Sequence, residues 1–314
     1  MIDFGGQAVV VTGAGRGLGR LYAIDLARRG AAVVVNDLGS SMGGVGSDRR
    51  VADQVVEEIE AAGGVAVASH ESVATPTGGR AIVESALDRF GRLDAVVSNA
   101  GIFRTTPFDQ ITAEDWRRMI DVHLGGGFHL SQPAFRAMKE QGYGRFVFVT
   151  SSAGLFGQLE TAHYAAAKAG LVGLTNVIAL EGAEHGISAN SVLPFGYSRM
   201  VTETVGDIEQ LPEAAAFLSA IDPDLVVPMV VFLASRNCRL THHNFSAGAG
   251  RFARVFTGLG EGWLAPASTG VKPTADDVED HLDAIGAIEP FTVPMSIYDE
   301  VGEIWSRLDV DSER

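Results

Sequence analysis

Tyr164 and Lys168 stand at positions i and i+4 of the run Tyr164-Ala165-Ala166-Ala167-Lys168, so a helix carries both on one face. An ammonium beside a phenol favours the phenolate and lowers the tyrosine pKa, which makes Tyr164 a candidate acid/base near neutral pH. Ser151 closes the upstream run Val149-Thr150-Ser151. At a strand end it can hydrogen-bond the same substrate oxygen and stabilise the charge developing there. Three such groups manage the proton of a secondary alcohol. The electron pair needs a hydride acceptor, and a second constellation provides for one.

That constellation is Thr12-Gly13-Ala14-Gly15-Arg16-Gly17-Leu18-Gly19, which follows the apolar run Ala8–Thr12 and opens a helical pattern. Glycines permit positive φ and close backbone approach. The free N–H groups and dipole of the following helix attract a pyrophosphate. Between a strand and a helix at the start of a βαβ unit, the motif predicts a dinucleotide site. The second strand ends in Val35-Asn36-Asp37-Leu38. A carboxylate there accepts hydrogen bonds from ribose hydroxyls and repels a 2′-phosphate, so Asp37 predicts NAD rather than NADP. Arg16 is the one residue of the loop that would favour the phosphate. Glu71-Ser72-Val73, at the third strand end, is expected beside the adenine. Asn99-Ala100-Gly101, after the fourth, should let backbone approach the cofactor. Pro194-Phe195-Gly196 should meet the nicotinamide carboxamide, the alternative being a plain turn. No metal-ligand set stands out.

The elements that must position these groups are legible as alternating patterns. Ala8–Thr12, Ala31–Asn36, Val65–Ser69, Ala95–Asn99, Arg145–Ser151 and Ser188–Leu193 read as buried strands. Helices are expected near Gly17–Arg29, Asp48–Ala62, Gly78–Phe90, Thr112–Lys139 and Tyr164–Glu184. Continuous apolar strands separated by such helices imply an α/β fold, a Rossmann-type doubly wound parallel sheet. Right-handed crossovers then bring the strand ends, and the ligands, to one edge. Leu38–Ser47 reads as a flexible Gly/Ser insertion, and Tyr197–Leu218 as a substrate lid. Residues 1–240 are expected to form the core, with 241–314 a C-terminal extension packing on it or on a neighbouring subunit.

A formal net charge of −15 over 314 residues argues against nucleic acid or an anionic membrane surface as partner. With one cysteine, Cys238, no intrachain disulfide is possible, and a structural thiol in a reducing compartment is expected. The start lacks the pattern of a signal peptide, and the apolar stretch Leu225 to Ala234, broken by Pro228, is too short for a membrane span. The expectation is a cytoplasmic protein.

In this order the motifs resemble the short-chain dehydrogenase/reductase family, over about residues 5 to 235. The resemblance implies that Ser151, Tyr164 and Lys168 are catalytic and that Gly13, Gly17, Gly19, Asp37 and Asn99 bind the cofactor. Where the family pattern carries an asparagine, this chain reads Trp116-Arg117-Arg118-Met119-Ile120-Asp121-Val122-His123-Leu124. One branch, the (3R)-hydroxyacyl-CoA dehydrogenase part of peroxisomal multifunctional enzymes of type 2, with its bacterial stand-alone relatives, has a similar histidine. It also resembles this chain at Val34–Gly46, at Ser198-Arg199-Met200 and at Phe245–Gly250. By that resemblance His123 is a proton-relay residue; otherwise it is a satisfied core histidine. The chain departs from the branch at Phe195-Gly196-Tyr197, where an acyl or steroid group would pack.

The resulting expectation is an NAD-dependent enzyme acting on a 3-hydroxyacyl-CoA with a fatty or steroid side chain. Arg199, Arg251 and Arg254 are candidates for the CoA phosphates, and a homodimer or homotetramer is expected from the family. A dehydrogenase of free hydroxysteroids, and a non-catalytic NAD-binding regulator, are the competing readings.

Overall fold

The computed structural model describes residues 1–196, 220–265 and 272–309. The chain divides into two compact units, Met1–Arg254 and Val255–Arg314. The first alternates strand and helix as expected: β1 (Ala8–Thr12), α1 (Gly17–Arg28), β2 (Ala32–Asn36), α2 (Arg50–Ala61), β3 (Val65–Ser69), α3 (Pro76–Phe90) and β4 (Ala95–Ser98). Then come α4 (Ala113–Ile120), α5 (Gly126–Gln141), β5 (Gly144–Val149), α6 (Ser152–Phe156), α7 (Ala162–Gly182), β6 (Ile187–Phe195), α8 (Val227–Ala234), β7 (His243–Gly248) and β8 (Arg251–Val255).

The sheet has the order β3-β2-β1-β4-β5-β6-β7-β8, with β1 through β7 parallel. The reversal between β1 and β4 creates the crevice in which such sheets bind ligands. Central strands are apolar on both sides because each face is covered. In β1, Val9 and Val11 enter the cluster with Tyr22 and Leu26 of α1 and Val230 of α8, while Val10 joins Ile82, Leu130 and Phe148 on the other face. Full burial of each such valine contributes about 1.5–3 kcal/mol of hydrophobic free energy, so β1 is fixed from both sides.

Four features depart from the sequence reading. The expected helix Thr112–Lys139 is interrupted by a wide i→i+5 turn, Asp121–Gly125, which carries His123. Turns of this kind shift the register of a helix locally and occur frequently at functional sites. A short helix, α6, follows Ser151, whose Oγ accepts a cap hydrogen bond from the Ala153 N–H at 3.2 Å. The sheet continues past β6 into β7 and β8, joined by Ala249-Gly250, both at positive φ. Two successive residues of that kind suit a tight hairpin. Finally, the Leu38–Ser47 insertion is not loose: Ser41 donates to the Val45 carbonyl, Gly44 to that of Ser41, and Phe103 to that of Met42.

The second unit pairs β9 (Leu259–Gly260) antiparallel with β10 (Phe291–Thr292) and adds α9 (Ala275–Asp280), α10 (Leu282–Ile285) and α11 (Ile297–Asp309). Thr274 and Asp277 form a reciprocal cap at the start of α9. Among the described residues no helix is long and apolar enough to cross a membrane. Tyr197–Leu218, the expected lid, and Arg199 lie outside the described residues.

Candidate active site

The carboxyl edge of β1 and β2 builds the first half of the site. Gly13 and Gly17 adopt φ of +62° and +52°, which only glycine reaches cheaply. A Cβ on Gly19 would collide with the Gly13 carbonyl oxygen, so the loop packs directly on the first turn of α1. Asp37 grips this loop: one carboxylate oxygen accepts from the Gly15 N–H at 2.9 Å, the other from the Gly39 N–H at 2.7 Å. Asn99 holds the opposite side, its amide donating to the Thr12 and Gly13 carbonyls at 3.0 and 3.2 Å. The Arg16 guanidinium donates to the Ser40 carbonyl at 3.3 Å. Below them the Asn36 amide donates to the Glu71 carbonyl at 2.9 Å, which sets the backbone that leads to Ser72 and Val73. Bare backbone N–H groups, no room for a Cβ and a carboxylate at the next strand end fit a dinucleotide.

The second half stands on β4, β5, α7 and the wide turn. Ser151 caps α6 and lines the same cavity as the buried Tyr164. Lys168, one turn further along α7, is also buried and donates from Nζ to the Val149 carbonyl at 2.7 Å, with Nζ 5.6 Å from the Tyr164 ring centre. Burial brings the Lys168 ammonium down to about 7. For Tyr164 burial wins: it pushes the phenol up, and the neighbouring Ser151 hydroxyl opposes it. The expected lowering of the tyrosine by lysine is therefore not the dominant influence in this structure. The lysine charge is itself short of water and points at a carbonyl.

His123 is packed against the Tyr164 ring, edge to face at 5.2 Å between centres. Its Nε2 lies 2.8 Å from the Ile102 carbonyl oxygen and 3.2 Å from the Ile102 nitrogen. The Ile102 N–H donates to Nε2 in one of these contacts, while the role of Nε2 toward the carbonyl depends on the ring tautomer. Burial first, and the neighbouring Lys168 charge second, hold His123 well below the usual imidazole range, so the ring is neutral. A Cβ on Gly101 would stand 2.5 Å from the ring, which makes glycine a requirement there. Among the described residues, the His123 Nδ1 is buried with no hydrogen-bond partner.

The two halves share one cavity of about 1110 Å³. Its lining includes every residue singled out above for cofactor or catalysis except Gly15, which touches Asp37 instead. Pro194 and Gly196 line it at the end of β6. Arg251 and Arg254, the expected phosphate contacts, are exposed on β8 and are not part of the lining. Arg117 and Arg118 of α4 do line the cavity, and Arg118 pairs with Glu114 at 2.6 Å. Met42, Ile102 and Phe103 supply an apolar wall packed with Tyr164, and Phe156 adds an apolar side chain to the lining. None of these was legible beforehand: no residue type marks an apolar wall, and Met42 sits in a stretch that reads as linker. Cys238, buried with its thiol pushed up by burial, has the expected structural character.

A family model for short chain dehydrogenases matches residues 7–210. A short-chain type dehydrogenase/reductase of Mycobacterium tuberculosis is 45% identical over 249 residues, covering 79% of this chain and 84% of that protein. The peroxisomal multifunctional enzyme type 2 of Mus musculus is 40% identical over 318 residues, covering 99% of this chain but 41% of the mouse protein. The solved full-length enzyme of that type from Drosophila melanogaster superimposes with a TM-score of 0.81 at 31% identity, over 98% of this chain and 50% of its own. The chain thus spans about half or less of the multifunctional relatives it matches. With the glycine loop, the parallel sheet and the serine, tyrosine and lysine at one cavity, the chain belongs to the short-chain dehydrogenase family of oxidoreductases, which act on CH–OH groups with a nicotinamide cofactor.

Proposed function

We propose that the chain is an NAD-dependent dehydrogenase interconverting a 3-hydroxyacyl-CoA and the corresponding 3-oxoacyl-CoA. The observation that carries this reading is the single cavity, with the Asp37-held glycine loop at one end and Ser151, Tyr164 and Lys168 beside an apolar wall at the other. The likeness over 99% of the chain to a multifunctional enzyme type 2 supports the thioester substrate. Gly13, Gly15, Gly17 and Gly19 would hold the pyrophosphate and Asp37 the adenosine ribose, where its carboxylate would repel a 2′-phosphate. Bound there, NAD⁺ supplies the hydride acceptor for the carbinol carbon.

The protein's own part is proton handling and placement. Ser151 donates to the substrate oxygen and fixes it within reach of Tyr164. As tyrosinate, Tyr164 takes the hydroxyl proton as the carbonyl forms, and as phenol it returns that proton in reduction. Lys168, protonated, makes the tyrosinate less costly. His123, neutral, serves as a positioning residue: it ties the Ile102 backbone to the catalytic ring and carries no charge into the site.

Two comparisons test this. Purified enzyme is assayed with a 3-hydroxyacyl-CoA against the same hydroxyacid without CoA and against a free hydroxysteroid, and with NAD⁺ against NADP⁺. Turnover confined to the thioester, with NAD⁺ preferred and the preference narrowed in Asp37→Ser, is the expected result. Activity on the free hydroxysteroid alone would replace the substrate assignment. A preference for NADP⁺ would overturn the role given to Asp37.

A further inference from the structure

The Leu38–Ser47 insertion leaves the cofactor half of the site and ends against the catalytic half. Its first residues are held by the cofactor carboxylate, since Gly39 N–H donates to Asp37 and the Leu38 carbonyl accepts from Asp48 N–H at 3.0 Å. Its tip is tied to the loop after β4 by the backbone hydrogen bond from Phe103 N–H to the Met42 carbonyl at 3.0 Å. Gly44 sits at φ +79°, and a Cβ there would stand 3.1 Å from the Ile102 side chain, so the tip is pressed onto that loop. This places the Met42 side chain on the cluster formed by Ile102, Phe103, Met119, Ala153 and Tyr164, while Met42 also lines the cavity.

We propose that Met42 is a substrate-contacting specificity residue, setting how bulky a group the substrate can carry beside the reacting carbon. Its position follows from three observations on separate elements: the backbone tether at Phe103, the packing on the Tyr164 cluster and the exposure to the cavity. A thioether is unbranched and polarisable, and it fills an irregular apolar wall without a fixed shape. Because the tether uses the main chain, shortening the side chain widens the wall without releasing the insertion. The substrate class rests on the proposed hydroxyacyl-CoA reading; the specificity role of Met42 does not.

The test compares wild type with Met42→Ala, Met42→Leu and Met42→Phe on two series, each pairing a slender straight chain with a ring-bearing group beside the carbinol. One series is 3-hydroxyacyl-CoA thioesters, the other free lipophilic secondary alcohols. The expected result, in whichever series the wild type turns over, is that Met42→Ala shifts the kcat/KM ratio about tenfold toward the ring-bearing member. Met42→Phe shifts it the opposite way, and Met42→Leu stays near wild type. NADH affinity, measured by fluorescence titration, is expected to change less than about threefold in all three. Equal changes for both members of a pair would overturn the proposal, as would an unchanged ratio in both Met42→Ala and Met42→Phe. Turnover of alcohols but not thioesters would sink the thioester reading and leave Met42 to be judged on the alcohols. A wild type silent on both series would overturn both.

Discussion

At Lys168 two demands conflict. Catalysis wants a cation beside a phenol, while burial of that cation costs stability. Its ammonium is brought from 10.5 down to about 7. The native state therefore binds fewer protons than the unfolded chain across that window, and stability rises with pH through it. The cost is fully present below about pH 7 and vanishes above about pH 10.5. Lys168→Met removes the ionisable group and adds only a pH-independent loss at the Val149 carbonyl. Thermal melts should show Lys168→Met gaining on wild type by several degrees at pH 6, with the gap closing toward pH 10. A gap that stays constant with pH would contradict the burial account. That Ser151, Tyr164, Lys168, the glycine loop and Asp37 would gather at one cavity was legible, because their types and spacing place them at particular strand and helix ends. His123 was legible as a position but not as a neutral ring. Its protonation state depends on burial and on the Ile102 backbone, which no spacing encodes.

Among the elements, α1 must begin within touching distance of the β1 loop, and the cofactor half depends on that approach. A Cβ on Gly19 meets the Gly13 carbonyl and stands 2.6 Å from the Asn99 amide nitrogen. Gly19→Ala is expected to weaken NADH binding at least about tenfold, since overpacking a tight contact costs roughly 1–3 kcal/mol. Gly173→Ala, in α7 where nothing lies within 4 Å, should leave NADH binding unchanged. Fluorescence titration of both variants checks this, and equal effects would contradict it. Helices and central strands were readable from sequence to within about two residues because their apolar period is strong. The wide turn at Asp121–Gly125 was not, since one extra residue per turn leaves the amphipathic pattern almost intact. β7 and β8 escaped as well: HNFSAG and RFARV are polar and only partly buried, unlike the continuous valine runs of the centre.

For the whole molecule, every residue lining the cavity at Tyr164 falls within Met1–Arg254. A chain ending at residue 255, the last of β8, is expected to unfold cooperatively and to bind NADH within about threefold of the full chain. Calorimetry and titration read both quantities, and loss of NADH binding would show that the second unit is needed for the cofactor half. The central claim, that one cavity joins a dinucleotide site to a tyrosine acid/base acting on a 3-hydroxyacyl-CoA, is tested most directly by Tyr164→Phe. The measurement is NADH formation from NAD⁺ and a 3-hydroxyacyl-CoA, with NADH affinity determined on the same preparations. The account predicts turnover in wild type and a loss of about 10²–10⁴-fold in kcat for the variant, with NADH affinity retained. A variant that turns over like wild type would contradict it.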